Sequence, residues 1–228
     1  MSTTEKERRR KRLLSFNNYN KGRNAPSLLC YYNFQMVQLE EHLKVFFQTL
    51  IQSPIDNWSP FEFILTRKEI KKGDHFFQHF DNTNEVAIVS KGLFRIYLID
   101  AEGEEKTFSF IPERGLILDF FLSSDKSPSM VSVQALEDSI IYTTKYPNFL
   151  KLMNENPIWN EVYREVLVRT YMRKSKREIE FVLYNAKQRL DQCLKSSYID
   201  FNRIPKTYLA SYLGIAPPSL SRLLRDRK

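Results

Sequence analysis

Cysteine and histidine are scarce in this chain, whose 228 residues contain two cysteines and three histidines. Cys30 and Cys193 are too few for a disulfide scaffold or for the four thiolates of an iron–sulfur cluster, and such low usage suits a reducing cytoplasm. His75 and His79 lie four residues apart in the strand-rich region and His42 lies in the first predicted helix, so no third metal ligand is evident beside His75 and His79. We therefore predict no metal site, no haem and no other cofactor.

Long apolar runs are also absent. No stretch approaches the roughly 20 residues that span a bilayer, and the basic N-terminus lacks the apolar core of a secretory signal. With 42% hydrophobic and 14% aromatic residues, the composition is that of a globular protein rather than a disordered one. The sequence therefore predicts a soluble cytoplasmic protein with no membrane partner.

Positive charge is concentrated at the two ends of the chain. Of the net charge of +8, residues 1–35 contribute +6 and residues 203–228 contribute +5, which leaves −3 for the 167 residues between them. A mildly acidic body with two basic ends is expected when only certain segments meet an anionic polymer.

The first of these ends, residues 1–35, is predicted to be a basic and disordered tail. Residues 5–12 read Glu-Lys-Glu-Arg-Arg-Arg-Lys-Arg, and a charge run of this kind is usually solvated. Two alternatives stay open. The run could bind phosphates as an arm, or the natural protein could begin at Met36, just before the first amphipathic pattern.

After Met36 the pattern is first helical and then changes to short strands. The helical stripe consists of Val37, Leu39, Leu43, Val45, Phe46, Phe47 and Leu50. Between residues 61 and 146, β-branched or aromatic runs alternate with turn signals, which predicts an antiparallel barrel or roll. The predicted strands are residues 61–70, 85–90, 93–99, 106–111 and 130–142, with a hairpin tip at residues 101–104.

A roll with two histidines also suits a metal oxygenase of the cupin type, so an enzyme is one alternative. Such a site needs clustered histidines and a carboxylate on adjoining strands, and the chain has no His-x-His cluster. It also has no recognisable nucleophile–base pair and no glycine-rich phosphate loop. We predict that the protein is not an enzyme.

A long helix is predicted over residues 158–183. Its apolar residues recur at helical spacing but form a narrow stripe, which favours a seam between two copies of the helix over a buried core position. The stripe consists of Val162, Val166, Arg169 or Thr170, Ile179, and Val182 or Leu183. Packing against its own roll alone is the open alternative. A further helix is predicted over Ala186–Lys195.

The last 25 residues predict two short helices joined by a tight turn. Pro205 suits a helix start, and Gly214 suits the left-handed conformation of the turn. Leu209, Ala210 and Leu213 in the first helix and Leu220, Leu223 and Leu224 in the second point inward. Ser221, Arg222 and Arg225 point outward, so the pair is typical of a DNA-binding helix-turn-helix. An ordinary helical hairpin with a solvated basic face is the alternative.

This order of elements resembles the Crp/Fnr family of bacterial transcription regulators, over residues 37–225. The resemblance lies mainly in the segment Glu-Val-Ala-Ile-Val-Ser-Lys-Gly-Leu-Phe-Arg-Ile-Tyr at residues 85–97 and in residues 204–222. It implies an α+β fold: a cupin-like jelly roll of the cyclic-nucleotide-binding type (36–153), a dimerisation helix (154–183) and a helix-turn-helix (184–228). Because the chain ends directly after the second helix, we expect the β-hairpin wing of a winged helix to be missing. The implied partners are a second copy of the chain, double-stranded DNA and RNA polymerase.

The resemblance also assigns residues to DNA. The expected DNA-binding residues are Lys206, Pro217, Pro218, Ser219, Ser221, Arg222 and Arg225. Arg222 matches the base-reading arginine of the family, which pairs with guanine O6 and N7, whereas Lys206 and Arg225 suit phosphates. Pro217 and Pro218 replace an arginine and a glutamate of the common pattern and remove two N–H donors, so the target sequence should differ from that of the best-known members.

The stretch that matches the family's cyclic-nucleotide pocket is residues 115–129. Its candidate effector-binding residues are Asp119, Lys126, Ser127 and Ser129. No arginine occupies the phosphate position, and a phosphate buried without such a partner is costly. We therefore predict a regulator that is not controlled by cyclic nucleotides and whose small-molecule effector is unknown. The alternative is a dimeric effector-binding or scaffold protein with degenerate DNA binding.

Overall fold

The structure, a computed structural model, describes residues 37–119 and 128–226. The elements below all belong to one compact unit, which begins at Val37. The predictions for the tail at residues 1–35 and for Lys126 and Ser127 lie outside the described residues.

Two four-stranded antiparallel sheets form a β-roll, with strand orders β1-β8-β3-β6 and β2-β7-β4-β5. The strands are β1 Thr66–Ile70, β2 His75–Phe77, β3 Glu85–Lys91, β4 Phe94–Ile99, β5 Glu105–Ile111, β6 Leu116–Ile117, β7 Ser132–Ala135 and β8 Ser139–Lys145. Buried side chains such as Val89, Phe94, Val133 and Ile141 pack in one cluster between the sheets. The antiparallel roll expected from the sequence is therefore confirmed.

Two of the predicted strands are wrong in part. Residues 59–64 form a short helix instead of the beginning of a strand, because Pro60 lies in its first turn and Phe61 stacks on Trp159 with ring centroids 4.2 Å apart. The predicted strand at residues 130–142 is divided into β7 and β8, because the chain turns at residues 136–138. The short strands β2 and β6 were not predicted. The hairpin tip at residues 101–104 lies between β4 and β5 as expected, closed by a 3.0 Å hydrogen bond from Asp100 N to Glu104 O.

The described helices are α1 Glu41–Ile51, α2 Ser59–Ile64, α3 Tyr146–Glu155, α4 Pro157–Leu183, α5 Ala186–Lys195, α6 Lys206–Leu213 and α7 Pro217–Arg225. The N-terminal helix begins at Glu41, four residues after the start of the predicted stripe, and Val45 of that stripe is 51% exposed. Phe47 of α1 packs edge-to-face against Trp159 of α4 at a centroid distance of 5.9 Å. An aromatic cluster thus fixes the N-terminal helix and the long helix on one side of the roll.

The long helix α4 spans 27 residues and begins at an Asn156 cap, whose Oδ1 accepts hydrogen bonds from Ile158 N and Trp159 N. Val162 is buried in the cluster of α1 and the roll, and Val166 packs against the same cluster. The sequence pattern placed these two residues in a seam between two copies of the helix. Because they are packed against the rest of the same chain, they do not belong to an exposed seam. They are covered because the first three turns of α4 pack against the cluster that includes Phe47, Phe61 and Tyr142. The exposed apolar residues of α4 are Ile158, Val168, Tyr171, Met172, Ile179, Phe181, Val182 and Leu183.

The helices after α4 share one buried cluster. It includes Leu190 of α5, Phe201 of a 3₁₀ turn at Phe201–Arg203, and leucines of α6 and α7. Leu93, Phe110 and Leu136 of the roll belong to the same cluster. The C-terminal helices are therefore packed against the roll. Within residues 37–119 and 128–226, no helix is long and apolar enough to cross a membrane.

Candidate nucleic-acid interface

Helices α6 and α7 are joined by a turn at Gly214. This residue has φ 69° and ψ 35°, and its N–H donates to the carbonyls of Ala210 and Ser211 at the end of α6. The left-handed backbone is inexpensive only for glycine. A Cβ at this position would also lie 3.1 Å from Cε1 of Phe181 in α4. Glycine is therefore required at this position for two reasons: the left-handed backbone of the turn and its close approach to the long helix.

Small and branched side chains hold the two helices together. Ala210 is fully buried where the helices meet, and Leu213 and Leu220 are almost completely excluded from solvent. Leu223 and Leu224 pack partly buried against the same cluster. Of the residues of α7 itself, Leu220 is the one that is fully buried, so its side chain is the main anchor of this helix.

All seven residues that the sequence assigned to DNA are exposed, namely Lys206, Pro217, Pro218, Ser219, Ser221, Arg222 and Arg225. The Ser221 hydroxyl donates to the carbonyl of Pro217 at 3.1 Å. Arg225 Nε lies 3.7 Å from a carboxylate oxygen of Asp226. Arg222 has neither an ion-pair nor a side-chain hydrogen-bond partner among the described residues. The outer face of α7 thus presents a guanidinium group that no described group satisfies.

The N-terminal turn of α7 has few free donors. Pro217 and Pro218 occupy its first two positions and have no N–H, and Ser219 N donates to Ala216 O at 3.0 Å. A helix N-terminus binds anions through such N–H groups, so this one is a weak phosphate site. The cationic groups of α7, Arg222 and Arg225, lie instead in its last turn.

A buried arginine fastens α6 to the roll. Arg95 in β4 is 2% exposed, and its guanidinium carbon lies 4.2 Å from the ring centroid of Tyr97 and 3.7 Å from that of Tyr208 in α6. The same group donates to Gln134 Oε1 at 2.8 Å and to Glu105 Oε2 at 2.5 Å. An arginine stacked between two rings and paired with a carboxylate is strongly oriented, so Arg95 fixes Tyr208 and with it the first helix of the pair.

Two further arginines bind the carbonyl end of α6. Arg189 in α5 donates to Leu213 O at 3.0 Å, and Arg177 in α4 donates to Tyr212 O at 3.1 Å. Positive groups at a helix C-terminus offset its negative end and satisfy its unpaired carbonyls. Ser211 Oγ also accepts a hydrogen bond from Thr107 N in β5 at 2.9 Å. The orientation of the helix pair is thus fixed by both α4 and the roll.

An ion-pair cluster connects the turn before α6 to the roll. Arg203 donates to both carboxylate oxygens of Glu113, at 2.8 and 3.0 Å, and to Glu137. Burial by itself would raise the pKa of Glu113, but the hydrogen bonds from Arg203 and from backbone N–H groups lower it below the ordinary value. The carboxylate is therefore ionised at neutral pH and holds Arg203 against the roll.

The expected effector residues are only partly described. Asp119 and Ser129 are both buried, and the Ser129 hydroxyl donates to Asp119 Oδ2 at 2.5 Å. The structure thus brings these two together. Lys126 and Ser127 lie in the gap between the described ranges.

The two histidines of the roll have different neighbours. His75 Nε2 is 2.9 Å from the Tyr97 hydroxyl, whereas the His79 ring stacks on Phe80. Burial is the main cause of a lowered pKa for His75. No group of three or more potential metal ligands from His, Cys, Asp and Glu occurs in the part of the chain that the structure describes.

Arg95, Arg177, Arg189 and Arg203 are the important residues that the sequence analysis missed. Only Arg95 gave a signal, as a lone charge within the apolar run Leu-Phe-Arg-Ile-Tyr at residues 93–97. The other three lie on helices or turns where an arginine is usually solvated, so only the tertiary arrangement shows their partners.

The order and pairing of the strands correspond to a known domain. Residues 67–156 match the family model of the cyclic nucleotide-binding domain. The matched segment runs from β1 to the end of α3, so the described sheets form a β-roll of the cyclic-nucleotide-binding type. A search of curated protein sequences found no match to the chain.

Solved structures resemble the chain beyond this domain. A mutant of CooA from Carboxydothermus hydrogenoformans has a TM-score of 0.62 and 19% identity, over 84% of this chain and 86% of that one. The c-di-GMP-responsive global regulator CLP from Xanthomonas campestris has a TM-score of 0.60 and 13% identity, over 73% and 88%. A cyclic nucleotide-binding domain-containing protein from Listeria monocytogenes has a TM-score of 0.60 and 16% identity, over 82% and 90%. At these identities the similarity establishes the fold.

Proposed function

We propose that the protein is a sequence-specific DNA-binding transcription regulator that acts as a homodimer. The observation that carries this proposal is the outer face of α7, where the exposed Arg222 has no partner among the described residues while Leu220 on the opposite face is fully buried. A helix that is buried on its inner face and carries an unpaired arginine on its outer face suits insertion into a major groove. The similarity to CLP, whose description is that of a global regulator, supports the same function.

Arg222 and Lys206 have different roles in this proposal. Arg222, in the exposed face of the second helix, reads a guanine through a bidentate pair. Lys206 and Arg225 neutralise phosphates and add affinity without sequence information. The Ser221 hydroxyl donates its hydrogen to the Pro217 carbonyl. Its oxygen can still accept a hydrogen bond from a donor on DNA.

The second half of α4 supports the homodimer. Val168, Met172, Ser175, Ile179 and Val182 follow one another at intervals of four, three, four and three residues, the spacing of a coiled-coil seam. The four apolar members of this set, which we call the seam face, are 44%, 64%, 55% and 83% exposed in the single chain. Pairing with a second copy would bury them and would place two α7 helices on one DNA duplex.

Control by cyclic nucleotides is not part of the proposal. Asp119 is buried and hydrogen-bonded to Ser129 in the stretch where relatives hold the cyclic phosphate, and residues 115–129 include no arginine. A phosphate placed beside Asp119 would meet a carboxylate that repels it, and the neighbouring Asp125 offsets much of the field of Lys126, the one cation of this stretch. We propose a division of the chain into a roll at residues 36–153, a dimerisation helix at 154–183 and a DNA-binding segment at 184–228, with no catalytic role for any of them.

Selection from a random pool of duplex DNA by the purified full-length chain tests this function. We expect recovery of a near-palindromic motif whose half-sites lie about one helical turn, roughly 34 Å, apart. Sedimentation of the same sample should give the mass of two chains. Recovery of random sequences by a monomer would refute the proposal and would favour a scaffold whose basic segments bind any polyanion.

A further inference from the structure

The second helix of the pair, α7, begins with two exposed proline side chains. Pro217 and Pro218 occupy its first two positions, and both are exposed to solvent, as is the capping residue Ala216. One proline at the first position is enough to start a helix, because its fixed φ suits the first turn and an N–H there would have no partner in the helix. The second proline is not explained by helix formation, since it removes another N–H that could bind an anion.

Pro218 lies at the centre of the outer face of α7. Successive residues of an α-helix are about 100° apart around its axis, so Pro218 is roughly 160° from the fully buried Leu220 and roughly 40° from the exposed Arg222. Pro217, in contrast, is roughly 60° from Leu220 and lies at the edge of this face. The face that presents the guanidinium group of Arg222 therefore also presents the ring of Pro218, one turn earlier.

The described residues at the beginning of this face leave no backbone N–H for a base. The two prolines have none, and the N–H of Ser219 donates to the Ala216 carbonyl at 3.0 Å. The Ser221 hydroxyl donates to the Pro217 carbonyl at 3.1 Å. What the centre of this part of the helix presents to a partner is therefore the apolar surface of the Pro218 ring.

Thymine is the base that an apolar ring can recognise. In the major groove guanine presents two acceptors, cytosine a donor, and adenine an acceptor and a donor, whereas thymine presents an acceptor and its C5-methyl group. A proline ring against a polar base edge removes water from that edge without supplying a hydrogen bond, which is unfavourable. Against the methyl group, the same contact removes apolar surface of both partners from water.

From these observations we propose that Pro218 is a specificity-determining residue that contacts the C5-methyl group of a thymine in each half-site. This inference rests on the proposed insertion of α7 into a major groove. Pro218 and Arg222 are four residues apart, which is about 6 Å along the helix axis, and neighbouring base pairs are about 3.4 Å apart. The thymine therefore lies no more than about two base pairs from the guanine that Arg222 reads.

Deoxyuridine tests the contact, because it lacks only the methyl group of thymine and pairs with adenine in the same way. The full-length chain is titrated with the selected duplex motif containing either thymine or deoxyuridine at this position. We expect deoxyuridine to weaken binding about fourfold for each half-site, the effect of exposing one buried apolar carbon. Replacing the T·A pair with C·G should also weaken binding. In that duplex 5-methylcytosine should restore part of the loss, because its methyl group occupies the same position in the groove.

The protein side of the test uses Pro218→Ala, which removes ring carbons and places a good helix former in the first turn. This variant should bind the thymine motif about fourfold more weakly for each half-site and should bind the thymine and deoxyuridine motifs equally. The matched control is Pro147→Ala. Pro147 is also exposed and also occupies the second position of its helix, α3 beside the roll, so this variant should keep both the affinity and the thymine preference of the wild type.

The outcomes separate this inference from the proposed function. A selected motif that depends on Arg222 but has no thymine within about two base pairs of its guanine would overturn the role of Pro218 and leave the regulator proposal intact. Equal binding of the thymine and deoxyuridine motifs by the wild type, or an unchanged thymine preference in Pro218→Ala, would do the same. Failure to select any motif would overturn both.

Discussion

Replacing Leu220 with alanine should release α7 while leaving the roll folded. Leu220 is fully buried and is the main anchor of this nine-residue helix. A Leu→Ala change in a core loses the transfer free energy of the missing carbons and leaves a cavity, which together cost roughly 3 kcal/mol. Because the helix has few other buried contacts, we expect this cost to appear as local opening rather than as unfolding of the whole chain.

Hydrogen exchange and tryptophan fluorescence separate these two outcomes. A cost of roughly 3 kcal/mol raises the population of the open form about a hundredfold, so the amides of α6 and α7 should exchange about a hundredfold faster. The chain has two tryptophans, and both lie in the aromatic cluster beside α1, with ring centroids 5.6 Å apart. Their emission should not change.

The matched control is Leu194→Ala in α5, where the side chain is 39% exposed. This variant removes the same atoms from a site that already contacts water, so exchange in α6 and α7 should change little. Equal protection of α7 in the Leu220→Ala variant and the wild type would refute the reasoning. So would a shift in tryptophan emission, because the helix pair and the roll would then unfold together.

Three further predictions concern the seam face, the turn and the ion-pair cluster. Val182→Glu should convert the proposed dimer to a monomer in sedimentation without loss of helical circular dichroism, since it would place two carboxylates in one apolar seam. Gly214→Ala should lower the unfolding free energy of the C-terminal helices by about 1–2 kcal/mol, because φ is 69° and the new Cβ meets the Phe181 ring; an unchanged denaturation midpoint would contradict this. The fold lowers the pKa of Glu113 from its ordinary value of 4.5. The pair of Glu113 with Arg203 is therefore fully stabilising above pH 4.5, and this stabilisation is lost as the pH falls through the lower pKa of the folded state. Protection of the C-terminal helices should therefore fall below pH 4.5 in the wild type and be less dependent on pH in Glu113→Gln.

Local sequence patterns predicted the strands that consist of short apolar runs bounded by turns. Strands β3, β4 and β5 were predicted within one residue of their ends, because their apolar residues alternate or cluster between turns that contain glycine, asparagine or aspartate. The helix at residues 59–64 was missed because Phe61 and Ile64 fit either a strand or a helix, and the contact with Trp159 nearly 100 residues later decides between them.

The seam residues of α4 and the contacts that fix α6 could not be predicted from local sequence patterns alone. Val162 and Val166 have the same spacing as the seam residues, and only the position of the roll shows that they are buried. The turn at Gly214 and the exposed face of α7 were predictable, because glycine, leucine and arginine have strong and separate preferences there. The arginines that fix α6 were not, because their partners lie on distant strands and carbonyl groups.

The measurement that tests the regulator proposal most directly compares Arg222→Ala with Lys206→Ala on the selected DNA motif and on random duplex DNA, at several salt concentrations. If Arg222 reads a base, its loss should weaken binding to the motif by about 1–3 kcal/mol and leave binding to random DNA nearly unchanged. Loss of Lys206 should weaken binding to both DNAs and reduce the slope of log K against log salt concentration by about one. An Arg222→Ala variant that binds the motif as tightly as the wild type, or that loses affinity equally for both DNAs, would contradict sequence reading by α7.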